Sequence, residues 1–289
     1  MTISKLKYYC YDKLKQASIK RPDFESELLL AYILKKDRSY IISHPETKIS
    51  IFDTIKAAYL CQKRINDTPL AYLLKEKHFY NLCLYINKRV LVPRPESELF
   101  IDYFKDLNYT NTLTIDLGTG SGALIISLVK NLKLESFNNY KFVASDISKK
   151  ALSVAKINAK KQNISENIEF LHSNLLSKLN TKLLDKYKNI YILANLPYLN
   201  SQEIKEKSIR KEPILALYSQ NNGLHHYFKL LIDIKHRLPS DKHLIIAMEI
   251  NPQQKDKLIQ EINYNFSKAD INIIKDYNNK DRLLIVKIK

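Results

Sequence analysis

The sequence predicts an α/β protein in two parts: a small N-terminal helical bundle, then a domain built on a largely parallel, seven-stranded sheet. Three observations carry this reading. Up to residue 75 the apolar residues recur at helical spacing. From residue 112 strand-like and helix-like stretches alternate, the pattern of a parallel sheet covered on both faces. Three of the chain's four glycines, Gly118, Gly120 and Gly122, fall at alternate positions directly after the first of those strands.

In the first part, Ile3, Leu6, Tyr9, Cys10, Leu14 and Ala17 share one helical face. Asp23 is placed to cap a second helix, whose apolar face holds Phe24, Leu28, Leu29, Ala31, Tyr32 and Leu34. A short helix is expected after Asp37 and a longer one from about Ser50 to Ile65. Residues 1–75 therefore read as a helical domain with no chemistry of its own, suited to hold a partner. Residues 76–93 change period, and the run from His78 to Val92, rich in aromatic and β-branched residues, reads as a β-hairpin linker. Pro93 and Pro95 keep the chain extended around Arg94, and Pro95 can open an amphipathic helix to about Leu107.

Residues 94–289 make the second domain, with strands expected at 112–117, 141–146, 167–171, 189–194, 242–250, 270–275 and 282–288. The last two, separated by Asp276 to Asp281, suit an antiparallel hairpin. Ligands of such sheets bind outside the carboxyl ends of the strands. The glycine loop, Asp146 and the stretch after residue 194 all fall there.

The 289 residues are 45% hydrophobic, enough for a real core, and no run of 18 apolar residues is present to span a membrane. The start, Met1 to Lys5, lacks the apolar segment of a signal peptide, and Cys10, Cys61 and Cys83 are an odd, scattered set without metal-ligand spacing. A cytoplasmic protein with reduced thiols and no metal is expected. The net charge of +17 suggests an anionic partner. The lysines are dispersed, however, and Asn, Ile and Tyr are abundant, as an A/T-rich genome would produce.

Two stretches carry the chemistry. The glycine loop has neither the spacing of a dinucleotide fold nor the Lys-Ser/Thr of a P-loop, which argues against NAD and ATP. With Asp116 before it, the loop resembles motif I of the class I S-adenosylmethionine-dependent methyltransferases, and the expected sheet is then Rossmann-like. Asp146, ending the second strand, can accept ribose hydroxyls and is equally placed to cap the helix from Ser148. The second stretch is Asn195-Leu196-Pro197-Tyr198, after the fourth strand. The Asn carbonyl and the main-chain carbonyl of Leu196 can each accept one N–H of a planar amino group, with Tyr198 against its face. The tetrapeptide is similar to that of methyltransferases acting on glutamine and to that of ribosomal RNA adenine dimethyltransferases, so it leaves protein and RNA substrates open.

The rest of the chain narrows this. Pro69-Leu70-Ala71-Tyr72, Val92-Pro93-Arg94-Pro95-Glu96, Glu212-Pro213, Gly223-Leu224 and Asp281-Arg282, in this order, resemble the bacterial peptide chain release factor glutamine methyltransferases along almost the whole length. That resemblance implies S-adenosyl-L-methionine as methyl donor, held by Gly118, Thr119, Gly120, Ser121, Gly122, Asp146, Asn174, Leu175 and Asn195. It implies that Asn195, Leu196, Pro197 and Tyr198 bind the substrate amide and carry catalysis. The partner it implies is a class I release factor, methylated on the glutamine of its Gly-Gly-Gln motif. A monomer that needs no direct nucleic-acid contact is expected. A ribosomal-protein glutamine or a ribosomal RNA adenine N6 are the alternative targets. Leu196 stands where proline is usual, Asn174 where Asp is expected and Leu175 where an aromatic is usual. Arg94 and Glu96 are candidates for a substrate or lid contact, or for a structural ion pair.

Overall fold

The computed structural model describes residues 1–207, 209–239 and 241–289. The chain forms two compact units: Met1–Glu76 with Lys207–Lys211, and Lys77–Glu206 with Glu212–Lys289.

The first unit holds α1 (Ile3–Gln16), α2 (Pro22–Leu34), α3 (Arg38–Ser43), α4 (Ile51–Ile65) and α5 (Leu70–Leu74). Thr2, Asp37 and Ser50 cap α1, α3 and α4 through their side chains. Asp23 does not cap α2. Pro22 has its φ preset for the first helical position, so the helix starts two residues earlier than a cap at Asp23 would place it, and Asp23 joins Glu25 in the first turn. Ile3, Leu6, Cys10 and Leu14 pack with Leu29, Leu30, Ala57 and Leu60 into one core. The opposite face of α4 is apolar and exposed: Ile51 is 71% accessible, Phe52 81%, Ile55 62% and Tyr59 58%.

The second unit begins at Lys77, one residue into a hairpin of β1 (Glu76–Phe79) and β2 (Leu82–Tyr85), turned by Tyr80 and Asn81, both at positive φ. Next comes α6 (Glu98–Phe104), shorter than its expected end near Leu107; the Tyr109 hydroxyl donates to the Phe104 carbonyl at that end. The remaining elements are β3 (Thr112–Leu117), α7 (Ala123–Asn131), β4 (Tyr140–Asp146), α8 (Lys149–Lys161), β5 (Ile168–His172), α9 (Thr181–Lys186), β6 (Asn189–Ala194), α10 (His225–Arg237), β7 (His243–Glu249), α11 (Lys255–Asn265), β8 (Asp270–Lys275) and β9 (Asp281–Ile288).

The seven strands lie in the order β5-β4-β3-β6-β7-β9-β8, with β9 antiparallel to both neighbours and the other pairs parallel. β3 is buried at all six residues, as the central strand of a covered sheet must be. The chain runs outward from β3 to β5 and then returns to β6 on the other side. The strand order thus reverses between β3 and β6, where a crevice opens at the carboxyl edge. In register, Leu117 of β3 lies opposite Ser145 of β4 and Ala194 of β6. The glycine loop, Asp146 and Asn195 are therefore at one level.

Candidate active site

At that level the backbone turns sharply after Leu117. Gly118, Gly120 and Gly122 all have positive φ. The loop is pinned from below: Thr119 donates its amide to the Ser145 carbonyl (2.9 Å) and its hydroxyl to Asp116 Oδ2 (2.6 Å). Gly120 N–H donates to Asp146 Oδ2 (2.9 Å), while Ser148 N–H donates to Asp146 Oδ1 (2.7 Å). Asp146 therefore ties the loop to the end of β4, and the α8 N-cap is Ser148 itself. Asn158 of α8, absent from the sequence reading, donates its amide to the carbonyls of Ser121 (2.9 Å) and Tyr85 (3.0 Å), fastening β2 to the loop.

A cavity of about 150 Å³ stands over the loop. Gly118, Gly120, Asp146, Asn174, Leu175, Asn195, Leu196 and Pro197 all line it. Leu175 sits there at φ 50°, a left-handed conformation unusual for leucine, and the Ser173 hydroxyl donates to its carbonyl (2.9 Å). A smaller pocket shares Gly118, Gly120 and Asn195 with this cavity and adds Asp116, Thr119, Ser121, Arg94 and Ser97. Gly122 and Tyr198 line neither of these two spaces.

The glycines thus meet different demands. A Cβ on Gly120 would meet only the Gly118 carbonyl, at 3.8 Å, and otherwise open space. A Cβ on Gly122 would lie 2.6 Å from Ile126 and 3.3 Å from Ala155, so this glycine serves close packing of α7 and α8. The fourth glycine, Gly223, is also at positive φ; a Cβ there would collide with the Tyr198 carbonyl and the Gln254 amide that bonds it.

Asn195 follows the last residue of β6. Its Nδ2 donates to Ser97 Oγ (2.8 Å) and to Glu249 Oε2 (2.9 Å). With both N–H groups directed inward, the side chain offers its carbonyl Oδ1. The next carbonyl, of Leu196, accepts no hydrogen bond from the described residues. Tyr198 is tied back: its hydroxyl donates to Glu249 Oε1 (3.0 Å), and burial with the adjacent Glu249 pushes the phenol above its ordinary range, so it stays protonated. Arg94 pairs with Glu212 rather than Glu96, and Glu212 also accepts the Val92 N–H (2.9 Å). That pair joins the segment before α6 to the loop after β6.

Asp116 is buried as well. Thr119 and the nearby Ile125 amide favour its charged form, but burial outweighs them and pushes its pKa up to about 7. Its Oδ1 is buried and has no hydrogen-bond partner among the described residues. A buried orphan acceptor beside a bare glycine backbone suits a ligand that brings its own N–H donors. Of the residues missed in sequence, Glu249 had a signal, an acid ending an apolar strand at the ligand edge. Ser97 had none.

The fold and this site define a class I S-adenosylmethionine-dependent methyltransferase. Residues 108–284 match the family described as Methyltransferase domain, and residues 9–74 that described as PrmC N-terminal domain. The "Release factor glutamine methyltransferase" of Buchnera aphidicola subsp. Baizongia pistaciae is 34% identical over 283 residues, spanning 96% of each chain. That of Mycoplasma mycoides subsp. mycoides SC is 35% identical, again over 96% of each. The chain belongs to the release factor glutamine methyltransferase family. Among solved structures, the hMettl16 catalytic domain in complex with a MAT2A 3′UTR hairpin is 16% identical. It covers 90% of this chain and 92% of that one, with a TM-score of 0.54, a likeness of fold alone.

The glycine geometry predicts a ranking in thermal unfolding. Gly122→Ala and Gly223→Ala should each cost about 1–3 kcal/mol or more, from overpacking added to strain at positive φ. Gly120→Ala should show the strain alone and lose less. Equal losses at all three positions would contradict the division between packing and cradle glycines.

Proposed function

We propose that this chain transfers a methyl group from S-adenosyl-L-methionine to the side-chain nitrogen (N5) of the glutamine in the Gly-Gly-Gln motif of class I peptide chain release factors. The observation that carries the reading is Asn195: it shares a cavity wall with Gly118 and Gly120, and its amide nitrogen is spent on Ser97 and Glu249. The names of the curated relatives point to the same substrate.

The residues present fit the donor. Gly120 gives an open backbone, Asp116 Oδ1 a buried acceptor for a cationic amino group, and Asp146 a carboxylate for ribose hydroxyls. Gly118, Thr119, Ser121, Asn174, Leu175 and Asn195 complete this side, and Gly122 serves it indirectly by seating α7. When bound, the donor supplies an electrophilic methyl group on a sulfonium. The protein's task is positioning. A carboxamide nitrogen is a weak nucleophile because its lone pair is delocalised into the carbonyl. Asn195 Oδ1 and the Leu196 carbonyl each accept one of its N–H bonds, which fixes its plane and aims the nitrogen. Pro197 shapes the wall, and Tyr198 supports it from behind. No strong base is needed, because methylation makes the attached proton acidic enough to pass to water.

The first unit serves as the docking surface for the protein substrate. Four large apolar side chains exposed along one helix face are unusual for a surface with nothing to bind. That this substrate is a release factor is supported by the names of the relatives.

Four outcomes test this. Incubation with labelled donor, release factor, ribosomal proteins and ribosomal RNA should add about 14 Da to one release-factor glutamine, the mass of one H replaced by CH₃. Asn195→Ala should slow turnover by roughly 2–4 kcal/mol, the range for a lost preorganised catalytic hydrogen bond. Label on adenine instead, with glutamine unmodified, would overturn the assignment. Donor affinity should depend on pH through Asp116. Its pKa near 7 leaves it neutral on the acid side, and a cationic donor needs it ionised. Calorimetry should therefore show tighter binding as pH rises from about 6 to 8, and Asp116→Asn should abolish that slope. An unchanged slope in Asp116→Asn would remove Asp116 from the donor site. Lastly, Phe52→Glu on α4 should raise KM for intact release factor without changing donor affinity; an unchanged KM would contradict the docking role.

A further inference from the structure

The carboxylate of Glu249, at the carboxyl end of β7, is 2% exposed and has no ion-pair partner among the described residues. Three donors converge on it. Oε2 accepts the Ser97 hydroxyl (2.5 Å) and the Asn195 amide (2.9 Å), and Oε1 accepts the Tyr198 hydroxyl (3.0 Å). Every group pointing at the carboxylate is a donor, which is the pattern an ionised carboxylate needs. Its other neighbours are Arg282 of β9, which favours the charge, Glu96 of the turn before α6, which opposes it, and Tyr227 of α10, whose hydroxyl donates to the Glu249 backbone carbonyl.

We propose that Glu249 is a positioning residue for methyl transfer: together with Ser97 it locks the Asn195 amide and enriches its Oδ1 in negative charge toward the substrate nitrogen. This rests on the reading that Asn195 Oδ1 accepts from the glutamine amide. Two effects follow from the geometry. First, a half-turn of the Asn195 side-chain amide would aim its NH₂ at the substrate NH₂, donor against donor, and Glu249 forbids that rotamer because it would then face an oxygen. Second, an amide that donates to a carboxylate becomes a stronger acceptor at its own oxygen, as bonds in a chain polarise one another. The substrate nitrogen is neutral before transfer and positive as the N–C bond forms. An electron-rich acceptor is therefore worth more in the transition state than in the ground state, which raises turnover more than binding.

Glutamine at 249 keeps the shape but not the pattern. Its NH₂ would meet either the Tyr198 hydroxyl or the Ser97–Asn195 pair, donor against donor. A proton on Glu249 does the same in the native protein. Burial raises its pKa above the ordinary range against the pull of Ser97, Tyr198 and Arg282, and Glu96 adds to the rise. The turnover rate should therefore fall on the acid side, starting at higher pH than for an exposed glutamate.

The test is single-turnover methylation of intact release factor by the full chain, at saturating donor and substrate and across pH. It compares the native protein with Glu249→Gln, Ser97→Ala and Asn195→Ala; donor affinity is measured by calorimetry and folding by thermal unfolding. Glu249→Gln should be slower by about 10- to 100-fold, the range for losing a hydrogen bond to a charged group. It should keep its donor affinity and lose the acid limb of the rate profile. Ser97→Ala removes a donor that favours the ionised form, so its acid limb should move to higher pH. A folded Glu249→Gln with an unchanged rate or an unchanged acid limb would overturn the proposal. If Glu249→Gln does not fold, an unmoved acid limb in Ser97→Ala overturns it alone. Full activity in Asn195→Ala would instead sink the functional reading on which this rests, whereas an impaired Asn195→Ala beside a fully active Glu249→Gln would sink only the role of Glu249.

Discussion

A carboxylate buried without a cation partner must be surrounded by donors or give up its charge. Much of the second unit's carboxyl edge answers that constraint at Glu249. Ser97, Asn195 and Tyr198 reach it from the turn before α6 and from the segment after β6, elements far apart in sequence. Satisfying the acid therefore fixes the tetrapeptide. The orientation of Asn195 follows from its neighbours' hydrogen-bonding needs, and that orientation decides which group it shows to the cavity.

The site is flanked by two buried acids with different fates. Asp116 lies on β3 and Glu249 on β7, with β6 and the Asn195 that follows it between them. Glu249 has both carboxylate oxygens occupied by the protein. Asp116 has one oxygen taken by Thr119 and the other without a partner among the described residues. The first is built to hold a neighbouring side chain, the second to receive a ligand. Both pKa values are raised mainly by burial, so the difference in use comes from hydrogen-bond bookkeeping and not from the environment's polarity.

The fold was legible because its signals are local. Capping residues, helical spacing and the alternation of strands mark element after element without reference to distant parts of the chain. The error at Asp23 came from weighing a capping side chain above the backbone preference of Pro22. The glycine loop and Asn195 were legible for the same reason, as short motifs at strand ends. The division of labour among the glycines was not: Gly120 and Gly122 look alike in sequence, and only the approach of Ile126 and Ala155 separates them. Arg94 invited pairing with its near neighbour Glu96, yet its partner Glu212 arrives from a loop more than a hundred residues away. Ser97 and Glu249 belong to the same kind, contacts made by topology, which no spacing rule reaches.

The site turns on the orientation of one amide. It can be observed directly by nuclear magnetic resonance on protein labelled with ¹⁵N at asparagine, with the Asn195 side-chain resonance assigned by its loss in Asn195→Ala. If both N–H groups donate inward to Ser97 and Glu249, that NH₂ group should exchange slowly with solvent and resonate downfield of exposed asparagine amides, and Glu249→Gln should abolish the shift. An Asn195 NH₂ that exchanges as fast as an exposed side chain, with a resonance indifferent to Glu249→Gln, would contradict the account.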